Sequence, residues 1–271
     1  MREDRGRFAG KIAIVTGGAT GIGRAIAIRL ATEGATVIVA DVNTGFGEAT
    51  ERDLREMSTS SRFIPCDVSR SADVQAMIDT VIEAHGRIDV LVNNAGIPGT
   101  LAPIDQLDDD MWDRVIAVNL RGVFLCTKYA VPGLVAAPRG AVVNIASTFG
   151  MIGAPNTPAY AAAKGGIIAL TKQLAVDFGP RGIRINALSP GYVDNDMDQR
   201  RTRMTPEAAA VNLEDRENAA ALQPLGRQAA VEEIAAAVAF LASDDASFMT
   251  GALVPVDGGC TAFFNLGHRP G

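Results

Sequence analysis

Tyr160 and Lys164 stand four residues apart, and on a helix that spacing puts both side chains on one face. A lysine ammonium beside a phenol favours the phenolate and draws its pKa down from about 10 toward a working range. Tyr160 thereby becomes a usable acid or base. By itself a Tyr-x-x-x-Lys pair is also a common feature of helix surfaces. Ser147, 13 residues earlier at the end of an apolar run, supplies a second hydroxyl and changes that balance.

A second chemical signal is Thr16-Gly17-Gly18-Ala19-Thr20-Gly21-Ile22-Gly23, which follows an apolar run and opens a helical pattern. Gly17 permits a tight turn, while Gly21 and Gly23 let the backbone approach a pyrophosphate and let the helix pack on a sheet. The helix N-terminal amides then receive the anion. Asp41 lies 18 positions beyond Gly23, near the ~20 expected of a carboxylate that accepts hydrogen bonds from adenosine ribose hydroxyls. It would repel a 2′-phosphate, and the turn carries no Lys or Arg to clamp one. NAD is therefore expected rather than NADP; the competing reading is that Asp41 only caps the following helix.

The elements that must hold these residues alternate along the chain. Strands are predicted over 12–16, 36–40, 62–66, 90–93, 141–146, 184–188 and 253–256, and helices over 22–33, 46–57, 72–84, 110–131, 158–178 and 230–241. Several strands read apolar on both sides, as strands covered by helices must. The pattern predicts an α/β fold with a doubly wound, seven-stranded parallel sheet, a Rossmann fold, in a single domain over residues 1–271. The stretch 195–224 is a polar insertion after the sixth strand, where open α/β sheets bind ligands. It reads as a substrate lid or else as a solvated excursion. Its Arg200, Arg201 and Arg203 could attract an anionic substrate or form a solvated face.

Composition removes other function classes. The 271 residues are 48% hydrophobic and 21% charged, the range of a globular chain. Net charge is 25 − 31 = −6, which argues against nucleic acid as a partner. Two histidines leave almost no material for a His-rich zinc site or a Ser-His-Asp triad, and no metal is expected. Cys66, Cys126 and Cys260 are widely spaced and read as reduced thiols. No run of 18 apolar residues occurs, so no membrane partner and a cytoplasmic location are expected.

From Gly10 to about Gly259 the chain resembles the single-domain branch of the short-chain dehydrogenase/reductase family. Six motifs match in order: the turn from Thr16 to Gly23, Cys66-Asp67-Val68, Asn93-Asn94-Ala95-Gly96, Ser147, Tyr160-Ala-Ala-Ala-Lys164 and Pro190-Gly191. The resemblance implies a role for each. Asp67 and Val68 contact the adenine edge. Asn93, Ala95 and Gly96 approach the ribose and support the central strand. Asn119 helps hold a water relay leading to Lys164. Ser147 hydrogen-bonds the substrate oxygen, Tyr160 exchanges its proton, and Lys164 lowers the tyrosine pKa while binding the nicotinamide ribose. Gly17, Thr20, Gly21, Ile22, Gly23, Asp41, Pro190, Gly191, Val193 and Asn195 complete the cofactor site. At Asn195 relatives often carry a threonine that binds the nicotinamide carboxamide; asparagine offers both a donor and an acceptor for that contact.

The implied activity is NAD-dependent hydride transfer between nicotinamide and a small-molecule secondary alcohol or ketone, in a homotetramer. A 3-oxoacyl-thioester reductase is the first alternative, with Asp41 against it because such reductases commonly use NADPH. A dinucleotide-binding regulatory protein without catalysis is the second, opposed by the complete Asn119, Ser147, Tyr160 and Lys164 set.

Overall fold

The computed structural model describes residues 6–58, 60–195, 204–221 and 223–262. Its elements run β1 (Ile12–Thr16), α1 (Gly21–Thr32), β2 (Thr36–Asp41), α2 (Thr44–Met57), β3 (Arg62–Pro65), α3 (Ser71–His85) and β4 (Val90–Asn93). They continue with α4 (Asp109–Ile116), a π-helical turn (Ala117–Arg121), α5 (Gly122–Ala136), β5 (Ala141–Ile145), α6 (Pro158–Phe178), β6 (Arg184–Pro190), α7 (Pro206–Ala220), α8 (Val231–Ala242) and β7 (Leu253–Val256). The seven strands form one parallel sheet in the order β3-β2-β1-β4-β5-β6-β7. The order reverses between β1 and β4, which opens a crevice at their carboxyl ends.

The alternation of side chains explains why the central strands are apolar throughout. Ala13 and Val15 of β1 pack on the side of α1 and α8, whereas Ile12 and Ile14 pack on the side of α3 and α5. Val37 and Val39 against Ile38 and Ala40 repeat the division on β2. Each large aliphatic side chain fully buried this way contributes about 1.5–3 kcal/mol.

Several boundaries differ from the sequence pattern. β2 includes Asp41, whose carbonyl accepts from Cys66 N at 3.0 Å, and β6 runs to Pro190, held beside Val256 of β7. β5 ends at Ile145, so Ser147 lies two residues past the strand and opens a 3-10 turn over Thr148–Gly150. The helix expected over 110–131 is interrupted by the π turn and continues to Ala136 through Pro132. The stretch 195–224 contains α7, an element absent from the pattern. Thr205 caps it by accepting from Ala208 N at 3.3 Å, and Pro206 occupies the first turn. Residues 196–203 and 222 of that stretch, with Arg200, Arg201 and Arg203, lie outside the described residues.

The helical run 109–136 is long and apolar enough, by length and composition, to cross a membrane. Here its Leu125, Cys126, Ala130 and Leu134 are buried in the core beside α3 and the sheet, which accounts for the apolar composition.

Candidate active site

A cleft of about 480 Å³ follows the carboxyl ends of the strands on both sides of the β1/β4 reversal. Its floor is the glycine turn. Gly17 has φ +63°, and a Cβ there would lie 2.7 Å from Ala95 Cα; a Cβ on Gly23 would lie 2.0 Å from Gly17 O. A side chain at Gly17 would push the turn away from the loop after β4, and one at Gly23 would push the helix away from the turn. Thr16 Oγ1 accepts from Asn94 N and Ala95 N at 3.0 and 3.1 Å, and Asn94 Nδ2 donates to Thr16 O and Gly17 O at 3.0 Å. The loops after β1 and β4 are thereby locked together.

Helix α1 starts at this turn with Thr20 at its N-cap. The Thr20 side chain makes no capping bond, and no acidic residue stands in the first turn. Thr20, Ile22 and Gly23 line the cleft, and among the described residues no carboxylate accepts from these first amides, the arrangement an anion needs. The small-residue cradle and these amides fit a dinucleotide pyrophosphate. Asp41 stands at one end of the cleft, its Oδ2 accepting from Ala19 N at 3.1 Å and its Oδ1 from Asn43 N at 3.0 Å. A carboxylate has about four acceptor sites, so it keeps capacity for further donors. Asp67 is tied by Ser69, which donates from N and Oγ at 2.9 and 2.7 Å to Oδ1, and Val68 forms the adjoining wall.

At the other end, Ser147, Tyr160 and Lys164 converge. Lys164 is buried and its Nζ donates to Ile145 O at 2.8 Å, at the end of β5. It stands 5.6 Å from the centroid of the Tyr160 ring. Burial lowers the lysine pKa to about 8. Burial raises the Tyr160 phenol, and a hydrogen bond with Ser147 opposes that rise. Spacing announces the lysine beside the phenol but not the burial that raises it. Phe149 meets Tyr160 and Tyr192 edge-to-face, each with ring centroids 6.4 Å apart, so an aromatic wall flanks the phenol.

The cleft brings together Gly17, Thr20, Ile22, Gly23, Asp41, Asp67, Val68, Ala95, Gly96, Ser147, Tyr160, Lys164, Pro190, Gly191, Val193 and Asn195. Gly21 lies just behind, packed against the Asn195 side chain: a Cβ on it would be 2.0 Å from Asn195 Oδ1. This places Asn195 over the start of α1. Asn93 is not brought to the cleft. Its Nδ2 donates to Thr127 Oγ1 at 3.1 Å and to Asn144 Oδ1 at 2.8 Å, and Asn144 Nδ2 donates to Thr171 Oγ1 at 2.9 Å. This buried ladder fastens β4 and β5 to α5 and to α6, which carries Tyr160 and Lys164. Asn119 is also buried, within the π turn, and its amide grips the backbone of Ile97 at 2.8 and 2.9 Å. The side chain thus anchors the loop after β4; π turns of this kind recur at functional sites. Phe149, Tyr192, Arg114 and Arg216 also line the cleft, although no motif marks them. Among the described residues no group of three or more His, Cys, Asp or Glu is placed to hold a metal ion.

Comparison with known proteins agrees with this geometry. A family model described as "Enoyl-(Acyl carrier protein) reductase" matches residues 17–261. The chain belongs to the short-chain dehydrogenase/reductase family. The cis-4-hydroxycyclohexanecarboxylate dehydrogenase of Sinomonas cyclohexanicum is 44% identical over 94% of this chain and 98% of its own. A crystal structure of levodione reductase superposes with TM-score 0.87 at 38% identity, covering 95% of this chain and 100% of that one. An NAD+-bound xylitol dehydrogenase superposes with TM-score 0.83 at 36% identity, over 93% and 99%. As a member of this dehydrogenase/reductase family the chain is an oxidoreductase.

Proposed function

We propose that this chain is an NAD-dependent dehydrogenase or reductase that interconverts a secondary alcohol and its ketone. The observation that carries the reading is the joining, in one cleft, of an uncapped helix N-terminus over a glycine cradle with the Ser147, Tyr160 and Lys164 set. NAD, held by the turn from Gly17 to Gly23 and by Asp41, would supply the hydride acceptor or donor. Tyr160 Oη takes the alcohol proton in oxidation and returns it in reduction. Ser147 Oγ hydrogen-bonds the substrate oxygen and fixes its place beside the phenol. Lys164 supplies positive charge under the phenol and contacts the nicotinamide ribose. Asn119 acts as a positioning residue through the Ile97 loop, and Asn195 contacts the cofactor from the α1 side.

The aromatic wall of Phe149 and Tyr192 and the ring-shaped substrate named for the Sinomonas relative support a cyclic alcohol as the substrate class. Turnover of a panel of cyclic, linear and sugar alcohols with NAD and with NADP, and of a 3-oxoacyl thioester with NADH and with NADPH, tests this. Cyclic secondary alcohols with NAD are expected to be fastest. Activity confined to the thioester with NADPH would replace this reading by the acyl-thioester reductase, and activity on none of them would leave a nucleotide-binding protein.

The stretch 195–224 serves in this reading as a substrate lid. Arg216 of α7 lines the cleft and donates to the Val193 carbonyl, so α7 sits where it can cover a substrate. Amide hydrogen exchange in α7 is expected to slow when NAD and alcohol are both present; equal protection with and without them would mean a fixed helix. A homotetramer in the cytoplasm completes the reading, supported by the exposed Phe124 and Val135 on α5 and Val176 on α6 and by the free thiols of all three cysteines.

A further inference from the structure

Arg114 lines the cleft and has no task in the chemistry described above. It is exposed on α4 and, among the described residues, makes no side-chain hydrogen bond or ion pair. Its direction follows from its neighbours along the helix. Val118, one turn on, lines the same cleft, and Gly122, a further turn on, packs on Val68, where a Cβ would lie 2.9 Å from Val68 Cγ2. Arg121 donates to the Ser69 carbonyl on the same flank. This face of α4 and α5 is therefore laid along the segment after β3. Across the slot stand Gly96 and Ile97, held by the Asn119 amide. The slot lies on the Asp67 and Val68 side of the cleft, while Val115, on the other face of α4, packs on Ala159 and Ala163 of α6.

We propose that the Arg114 guanidinium lies flat over the adenine of the bound dinucleotide and closes the adenosine end of the cleft. The inference rests on the dinucleotide reading given above. A planar, weakly hydrated cation on a long stem stacks well on an aromatic face and needs no anionic partner to do so. The Val68 side chain supplies the apolar wall of the same slot.

The test is calorimetric titration of the full-length parent, Arg114→Ala and Arg114→Lys with AMP, NAD, nicotinamide mononucleotide and 2′-phosphorylated AMP. In Arg114→Ala, AMP and NAD are expected to bind about 5- to 30-fold more weakly, the span from an exposed to a desolvated cation–π contact. Nicotinamide mononucleotide binding should stay within about twofold, as should turnover at saturating NAD. Arg114→Lys should recover part of the loss, since it restores charge but not the flat face. Unchanged AMP affinity in Arg114→Ala would overturn the proposal. So would equal weakening of AMP and nicotinamide mononucleotide, which would mean general damage to the cleft, or a larger loss for the 2′-phosphorylated probe, which would mean a phosphate contact. A parent that binds neither AMP nor NAD would instead remove the dinucleotide reading, and this one with it.

Discussion

Tyr160→Phe is expected to lower turnover by at least about 100-fold, the lower end for a general acid–base group, while NAD affinity changes little. The substitution is a clean one. The ring keeps its edge-to-face contact with Phe149 at 6.4 Å, and among the described residues the bond lost is that to Ser147. The pH profile should carry a matching signature. Burial holds the phenol above its usual range, so alcohol oxidation, which needs the phenolate, rises with pH through neutrality, whereas ketone reduction, which needs the phenol, stays level there and falls only once the pH passes that raised pKa. Lys164, drawn to about 8 by burial, regains its proton most readily when a phenolate forms beside it, which links the two titrations. Steady-state rates in both directions across pH measure this. Turnover of the phenylalanine variant within a few-fold of the parent would remove Tyr160 from the reaction.

The second large effect concerns cofactor choice. Asp41 accepts one backbone N–H on each oxygen, which fixes its orientation while leaving acceptor sites toward the cleft. Hydrogen bonds from ribose hydroxyls to such a carboxylate contribute about 1.5–3 kcal/mol each. A 2′-phosphate would replace a donor with repulsion. NAD is therefore expected to be preferred by at least about 100-fold in kcat/KM, for which roughly 2.7 kcal/mol suffices. Asp41→Ala should erase most of that preference by weakening NAD use and relieving NADP, without making NADP use efficient, because the turn supplies no cation. Asp41→Asn separates the charge from the tie to Ala19, since its amide oxygen can still accept that N–H. Kinetics with both cofactors decide the matter, and equal use of NADP by the parent would refute this role for Asp41.

Most of the fold was legible because strands buried on both faces have an unmistakable composition, and because Tyr160 and Lys164 share a helix face by spacing alone. The parts that were not legible depend on tertiary partners. The direction of the Asn93 side chain is set by Asn144 and Thr127, which are far away in sequence. Asn119 serves Ile97, and no local pattern announces the π turn that carries it. Phe149 and Tyr192 belong to no sequence motif, and only the fold brings them to one wall. Helix α7 did leave a sign, Thr205 followed by Pro206 and Glu207, but its polar and alanine-rich faces gave no periodicity to set beside it. The burial that raises the phenol is likewise a tertiary effect, since proximity to a cation can be read from spacing and burial cannot.

The bonds from Thr16 to Asn94 and Ala95 have a consequence for how the protein comes into being. They join positions 78 and 79 residues apart, so a growing chain that has completed its glycine turn still has no nucleotide cradle. The cradle arrives only when β4 has been synthesised and has docked beside β1, a closure that carries an entropic cost and belongs among the slower steps of folding. Nucleotide cannot template the early stages. It can only reward the finished product, adding stability by mass action to molecules in which both halves have met, so the supply of nucleotide in a cell would govern how long a completed chain survives rather than how quickly one forms.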